Sequence, residues 1–534
     1  MHTIIDKIRK LKPLDGKLLL GTFSLTVSTV VVKIISLIYK IPIAGLLGDE
    51  GMGYFNSAYT IFALFVMLCT SGIPKTVMLL LSDSDSQSNG EWNCNEVMQT
   101  AFSLFLLIGI FFSAGLLVFS APLARLIGNT KAAISLLCVA PAIVFSAMSG
   151  VMRGYLNHNS RLIDMAISQL VEGVAKLAIG ICLAMLGIKG GLPLEYISAL
   201  AIIGVTLGSI LSCIYLLICY KKQNKGEKTG QNIKRKGRSR LIKRMMSIAI
   251  PLTLSTAVMS FTSLVDLGLI MRGLAEKGFT EQEASALYGN YTTLAVPMLN
   301  LALSLASPIA VAYLPMLARS FSSSDIESFD KSERAFSTIV SFISAPIMIG
   351  LLIYSEEILS VLFPNSEIVI GGALLRVLAP GIFFASSLLV TNNVFEACGM
   401  VRTPLLCMTI GGVAKVFTSY FLIAKTDLGI IGAPIGSVVS YAVSLLVALF
   451  IYGVVFDRPS PIFGRNIIPY LAAFIAVTLS RSVHDRLSFS LSPIASLAVA
   501  IVISALIYLG LGAFVSLFIG EKKGKIAKYT NLFS

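Results

Sequence analysis

Three lysines stand where a lysine is costly. Lys33 and Lys40 lie in the first long apolar run of the chain, and Lys75 follows Pro74 in the second. An ammonium held in hydrocarbon costs about 2.5–3.5 kcal/mol on insertion scales. That cost falls where the face bearing it lines water or meets an anion. Thr22, Thr26, Thr29, Lys33, Ser36 and Lys40 recur at spacings of 4, 3, 4, 3 and 4, which is one face of a helix. Lysine on such a face serves as a point charge for phosphate oxygens. Lys33 is mid-run, whereas Lys40 is near the end and within reach of the interface by snorkelling.

Other polar groups accompany them. Asn290, Thr293, Pro297, Asn300, Ser304 and Ser307 form a second stripe, spaced 3, 4, 3, 4 and 3. Ser255, Thr262 and Asp266 share a side of the preceding run, Arg272 stands at its end, and Asn56 lies in the second run. Such a seam either lines a wet cavity or joins helices. Thr29, Ser36, Asn56, Asn290, Asn300 and Ser304 are the expected cavity-lining groups. Glu172 and Lys176, four apart in the favourable order, read as a structural ion pair. The charge is asymmetric, because Lys75 has Ile309 as its repeat mate and Lys33 has no lysine counterpart. That asymmetry suits an anionic substrate such as a phosphate or pyrophosphate.

The elements that must position these groups are membrane helices. Of 534 residues, 55% are hydrophobic and 13% charged, the latter about half the share usual in soluble proteins. Apolar residues come in blocks of about 20, the length that crosses a bilayer as a helix. The alternation of a membrane β-barrel is absent. The expected fold is all-α and polytopic, with spans near 18–41, 54–81, 97–120, 132–152, 163–186, 196–220, 245–271, 287–317, 335–354, 368–391, 404–424, 430–453, 466–481 and 491–519, fourteen in all. With the N-terminus inside, 28 Lys and Arg fall on the cytoplasmic side and eight on the outer side, the asymmetry that orients membrane proteins. Both termini are therefore expected in the cytoplasm of a bacterial cell membrane protein. The net charge of +14 reads as orientation, with no nucleic-acid partner expected.

Eight cysteines and three histidines show no metal-ligand spacing. No glycine-rich nucleotide loop ending in Lys-Ser or Lys-Thr occurs, so no ATP-binding motif is expected. No cofactor is expected either.

The chain repeats itself. Ala140-Pro141 recurs as Ala379-Pro380 at an offset of 239, and Gly173-Val174-Ala175-Lys176 recurs at the same offset as Gly412-Val413-Ala414-Lys415. An even number of helices per repeat implies a parallel duplication, which is transporter architecture. The expected domains are an N-terminal lobe (1–220), a basic cytoplasmic linker (221–244), a C-terminal lobe (245–453) and two further helices with a basic tail (454–534).

The stretch Ala44-Gly45-Leu46-Leu47-Gly48-Asp49-Glu50-Gly51-Met52-Gly53, then Ser71-Gly72-Ile73-Pro74, resembles the opening of polysaccharide-biosynthesis flippases of the stage V sporulation protein B and MurJ-like type. Arg153-Gly154-Tyr155, then Ser168-Gln169 and Glu172, resembles a second signature of that group. The group belongs to the multidrug/oligosaccharidyl-lipid/polysaccharide exporter superfamily. The resemblance implies two lobes, alternating access, and an undecaprenyl-pyrophosphate-linked saccharide such as lipid II turned from the inner to the outer leaflet. It implies a pyrophosphate site at Lys33, Lys40 and Lys75, with Arg272 as a looser match, and a lipid tail housed by the last two helices. It also implies sodium or proton coupling through groups such as Asp266, although the eleventh predicted helix lacks the carboxylate some members use. Two alternatives stand beside the flippase: a multidrug-type exporter, which would want carboxylates in its cavity, and a polyprenyl-linked glycosyltransferase or polymerase using Asp49-Glu50.

Overall fold

The computed structural model describes residues 16–86, 92–223, 235–323, 325–400, 402–461 and 466–530. Among these there is helix and turn but no strand. Without water in the hydrocarbon core, a chain this apolar satisfies its backbone polar groups internally, and helices do so within each segment. The helices are α1 (Gly16–Thr70), α2 (Ile73–Ser86), α3 (Cys94–Leu126), α4 (Ala132–Val139), α5 (Ala142–His158), α6 (Leu162–Lys189), α7 (Leu194–Gln223), α8 (Arg235–Glu276), α9 (Glu281–Asn290), α10 (Val296–Ser322), α11 (Ile326–Ile353), α12 (Ser355–Leu362), α13 (Ile368–Leu378), α14 (Gly381–Ala397), α15 (Arg402–Lys425), α16 (Gly432–Phe456), α17 (Ile467–Leu487) and α18 (Pro493–Thr530).

Among the described residues, eleven helical stretches are long and apolar enough to cross a membrane, or twelve if α13 and α14, bent by 41°, form one span. The first and seventh predicted spans are helical too, within α1 and α8, and stand outside that set. Large apolar side chains such as Phe111, Val118, Phe417, Phe450 and Val454 are exposed, as lipid-facing positions require.

The chain forms two compact units, Met1–Gly289 and Asn290–Ser534. In the first, Ile73 and Val77 of α2, Val97 and Ala101 of α3, Ala147 and Val151 of α5 and Leu216 of α7 build one core. Helix α8 packs on α1, α2 and α3 in this unit. In the second, Phe336 and Val340 of α11, Val394 and Phe395 of α14 and Leu445 and Tyr452 of α16 build another. The two C-terminal helices are anchored there: Ala473, Ala476 and Val477 of α17 and Leu497 and Ala500 of α18 pack with Ala345 and Ile349 of α11. Tyr508 donates to the Phe342 carbonyl at 2.9 Å and stacks on the Phe342 ring.

Several predicted helices are interrupted, each for a local reason. Predicted span 18–41 runs on through a kink at Gly48 (φ 62°, ψ −177°) into the next helix, a conformation open to a residue without Cβ. Predicted span 54–81 breaks at Ser71-Gly72 ahead of Pro74. Within predicted span 287–317, Tyr291–Ala295 is a π-turn. Pro297 has no N–H to return to the Thr293 carbonyl, so the ladder widens there.

The repeat is visible as geometry. Both Ala-Pro pairs break a helix, with α4 giving way to α5 and α13 to α14. Both following helices are 17 residues long. Both end in the same cap: the Arg161 N–H reaches the Leu156 carbonyl at 2.8 Å, and the Met400 N–H reaches the Phe395 carbonyl at 2.8 Å. The left-handed residue is Ser160 (φ 55°) in one and Gly399 (φ 78°) in the other. Every one of these positions is offset by 239.

Candidate functional site

The lysine-bearing face of α1 begins in a helical backbone that includes Thr29, Lys33 and Ser36; their side chains lie outside the described residues. At its described end, Tyr39 is buried and donates to the Ala201 carbonyl of α7 at 3.4 Å. Lys40, the next residue, is half-buried. Lys176 of α6 lies over the Tyr39 ring at 5.1 Å and the Tyr59 ring at 4.6 Å. The Lys176 ammonium thus meets two tyrosine faces where α6 crosses α1, one of them on the residue before Lys40.

The ion pair expected between Glu172 and Lys176 is not formed. Glu172 takes the guanidinium of Arg153 from α5 at 2.8 Å. Arg153 also donates to the Ser168 and Ser212 hydroxyls, each at 3.2 Å. A guanidinium offers five donors in a fixed fork, so it satisfies three acceptors on two neighbouring helices. A single i,i+4 ammonium contact is worth a few tenths of a kcal/mol, about 0.2–0.5, and loses that competition.

Lys75 is exposed, one turn into the segment after the Ser71-Gly72 break. Arg272 is directed elsewhere than to these lysines. Its Nε and Nη2 donate to the Leu126 carbonyl at 3.2 and 2.8 Å, closing the C-terminal end of α3, where the helix dipole favours a cation. Asn56 is buried, and the Thr60 hydroxyl bonds its carbonyl at 2.8 Å. Asp266 and Thr262 are half-buried on α8, and Ser255 lies outside the described side chains.

The polar stripe of the second unit is mixed. Asn290 is buried and donates to the Glu367 carbonyl at 3.0 Å. Ser304 is buried and donates to the Asn300 carbonyl at 2.7 Å, while the Asn300 side chain is exposed. Asn290 therefore joins segments within this unit, and Asn300 faces outward.

Two polar clusters went unanticipated. In the first unit, Asn129 Nδ2 donates to the hydroxyls of Ser57 at 2.9 Å and Ser285 at 3.1 Å. Glu281 accepts from the Thr130 backbone and hydroxyl. Glu50 accepts from Tyr54 and faces Lys131 at 3.9 Å, with Glu195 on the other side of that lysine at 3.7 Å. Glu50 thus lies in a structural network close to the Gly48 kink. In the second unit, buried Glu333 accepts from Tyr452 at 2.8 Å and Arg458 at 3.1 Å, and Arg458 also pairs with Asp330. Each cluster joins residues far apart in sequence, which spacing cannot show. Among the described residues no group of His, Cys, Asp or Glu could hold a metal ion.

A helical membrane fold carrying a parallel internal repeat, with lysines in an apolar helix, is transporter architecture. Residues 18–321 match the polysaccharide biosynthesis protein family, and residues 292–421 match MatE. The first match spans more than half of the chain, and the chain belongs to that family. Stage V sporulation protein B of Bacillus subtilis (strain 168) is 22% identical over 502 residues, 92% of this chain and 93% of the relative. Lipid II flippase MurJ of the same organism is 22% identical over 459 residues, 81% of this chain and 82% of the relative. Among solved structures, lipid II flippase MurJ in an inward closed conformation superposes with a TM-score of 0.68 at 18% identity, covering 93% of this chain and 99% of that one. An inward-facing multidrug resistance MATE family transporter gives 0.65 at 14% identity, covering 79% and 93%. The protein is a multi-pass membrane protein of the polysaccharide biosynthesis family.

Proposed function

We propose that this protein moves an undecaprenyl-pyrophosphate-linked saccharide, lipid II or a closely related envelope precursor, from the inner to the outer leaflet by alternating access. The observation that carries the reading is the cationic face of α1, with Lys33 and Lys40 on one stripe inside an apolar helix. A phosphate-bearing headgroup offsets the cost of those charges, and a cationic drug would add to it. Lys75 belongs to the same site, with its ammonium free to approach from the broken second helix. Neutralisation of this face by the headgroup is the event that permits closure. Asp266 is the group proposed for coupling to sodium or protons. The polyprenyl tail remains in lipid, with α17 and α18 as its rest. Lobes 1–220 and 245–453, the basic linker 221–244 and cytoplasmic termini complete the proposal. Residues 224–234 of the linker lie outside the described residues.

The test is lipid II accessibility at the outer leaflet of cells depleted of their own flippase. Expression of this protein restores it, and Lys33→Ala at equal membrane level does not. Good expression with lipid II retained inside removes lipid II as substrate. A second reading, export of a small molecule, draws on the MatE match over residues 292–421. It predicts raised drug resistance in an efflux-deficient host, and unchanged resistance removes it.

A further inference from the structure

Lys176 sits near the middle of the 28-residue helix α6. Either helix end is about 20 Å away at 1.5 Å per residue, beyond the reach of a lysine side chain, so snorkelling does not explain it. The carboxylate one turn away is taken by Arg153, which also donates to Ser168 and Ser212. Among the described residues Lys176 makes no ion pair; its neighbours are the faces of Tyr39 and Tyr59. Ring faces attract an ammonium and leave its three N–H groups available for oxygen acceptors. The rings also fix its position, since Tyr39 is tied to the Ala201 carbonyl and Tyr59 stacks on Phe55. Lys40 follows Tyr39 in α1, the residue whose ring Lys176 covers. Both lysines belong to one helix crossing, and an anion with several oxygens can meet an ammonium from each helix.

We propose that Lys176 is a phosphate ligand, forming with Lys40 a two-lysine clamp for the pyrophosphate of the lipid-linked substrate, while Arg272 serves α3 instead. The inference rests on the pyrophosphate reading above and adds a residue from α6 to a site otherwise confined to α1 and α2. Arg153 acts as a positioning residue: by holding Glu172 it keeps a carboxylate away from Lys176. The charge pattern favours a diphosphate over a monophosphate, because two separate ammonium groups each find oxygens of their own.

The experiment uses the purified full chain in nanodiscs, with farnesyl pyrophosphate and farnesyl monophosphate as probes, read by calorimetry alongside the thermal midpoint. Lys176→Gln weakens pyrophosphate binding roughly tenfold or more, the scale of a lost charge-assisted hydrogen bond, and weakens monophosphate binding less. Lys176→Arg retains pyrophosphate binding, since it keeps both the charge and the ring contacts. If Lys176→Gln leaves the affinity unchanged while Lys40→Gln lowers it, the role of Lys176 is overturned and the proposed function stands. If Lys176→Gln lowers the thermal midpoint and weakens both probes equally, its role is structural and the inference also falls. Wild-type protein that binds pyrophosphate no better than monophosphate overturns the pyrophosphate site itself, and the clamp with it.

Discussion

At the scale of residues, Arg153 shows how a local rule yields to a neighbour. Sequence spacing pairs Glu172 with Lys176, yet the carboxylate goes to a guanidinium on the preceding helix that can satisfy three acceptors at once. Arg153→Ala removes the fork and leaves Glu172, Ser168 and Ser212 to find other partners. The pair is partly exposed, so the expected loss is moderate, about 1–2 kcal/mol, read as a lower thermal midpoint in detergent. Arg153→Ala/Glu172→Gln recovers part of it, because no carboxylate is then left uncompensated. Arg272 gives the converse case. Its role in closing α3 predicts that Arg272→Ala lowers stability by about 0.5–1 kcal/mol and leaves outer-leaflet delivery of substrate intact at equal membrane level. A transport loss as deep as that of Lys33→Ala would return Arg272 to the substrate site. The lysine stripe is a reading of spacing, and its side chains before Tyr39 lie outside the described residues. Which groups answer each charge was not legible in the sequence, since Tyr39, Tyr59 and Arg153 reach Lys176 and Glu172 only after helices pack.

At the scale of elements, the close crossing of α1 with α9 depends on two glycines. A Cβ on Gly53 would overlap the carbonyl and hydroxyl of Ser285, and one on Gly289 would overlap the Asp49 carbonyl. Small residues that let backbones approach are the usual currency of helix association in membranes. Gly53→Ala is therefore expected to destabilise by about 1–3 kcal/mol through overpacking, measured as a lower thermal midpoint. Gly115→Ala on α3, where an added Cβ meets nothing within 4 Å, is expected to be neutral or stabilising by up to about 1 kcal/mol. Equal behaviour of the two variants would remove the crossing as the explanation. The helices were readable because apolar blocks have a length the bilayer sets. Their interruptions were partly encoded, in Gly48, Pro74, Ala140-Pro141, Pro297 and Ala379-Pro380. A block of apolar residues reads the same whether it is straight or broken, so α4 and α5, and α13 and α14, were each expected as one helix. The offset of 239 carried more than sequence identity suggested. It reproduces a cap in which serine stands in one copy and glycine in the other, so the backbone conformation persists where the residue does not.

At the scale of the whole molecule, the repeat places a boundary in the basic linker, while packing places α8 with the first unit, which extends to Gly289. The two divisions answer different questions: duplication follows the order of helices, and compactness follows which helix has neighbours to bury against. Orientation is where the whole chain can be tested at once. Counted on fourteen spans with the N-terminus inside, Lys and Arg divide 28 against eight, and the proposal that both termini are cytoplasmic rests on the basic N-terminal segment, the linker and the tail after Glu521 favouring the same side. A green fluorescent protein fused after Ser534 is then fluorescent, and an alkaline phosphatase fused there is inactive. A cysteine placed at Gly191, in the turn between α6 and α7, reacts with a membrane-impermeant maleimide from outside in a variant lacking the other cysteines. An active C-terminal phosphatase with the Gly191 position still labelled would make the number of spans after α6 even, and fourteen would fall to thirteen or rise to fifteen. Both markers reversed would invert the chain while keeping the count. The cationic face of α1 would then still need an anion, and the direction proposed for the substrate would have to be argued afresh.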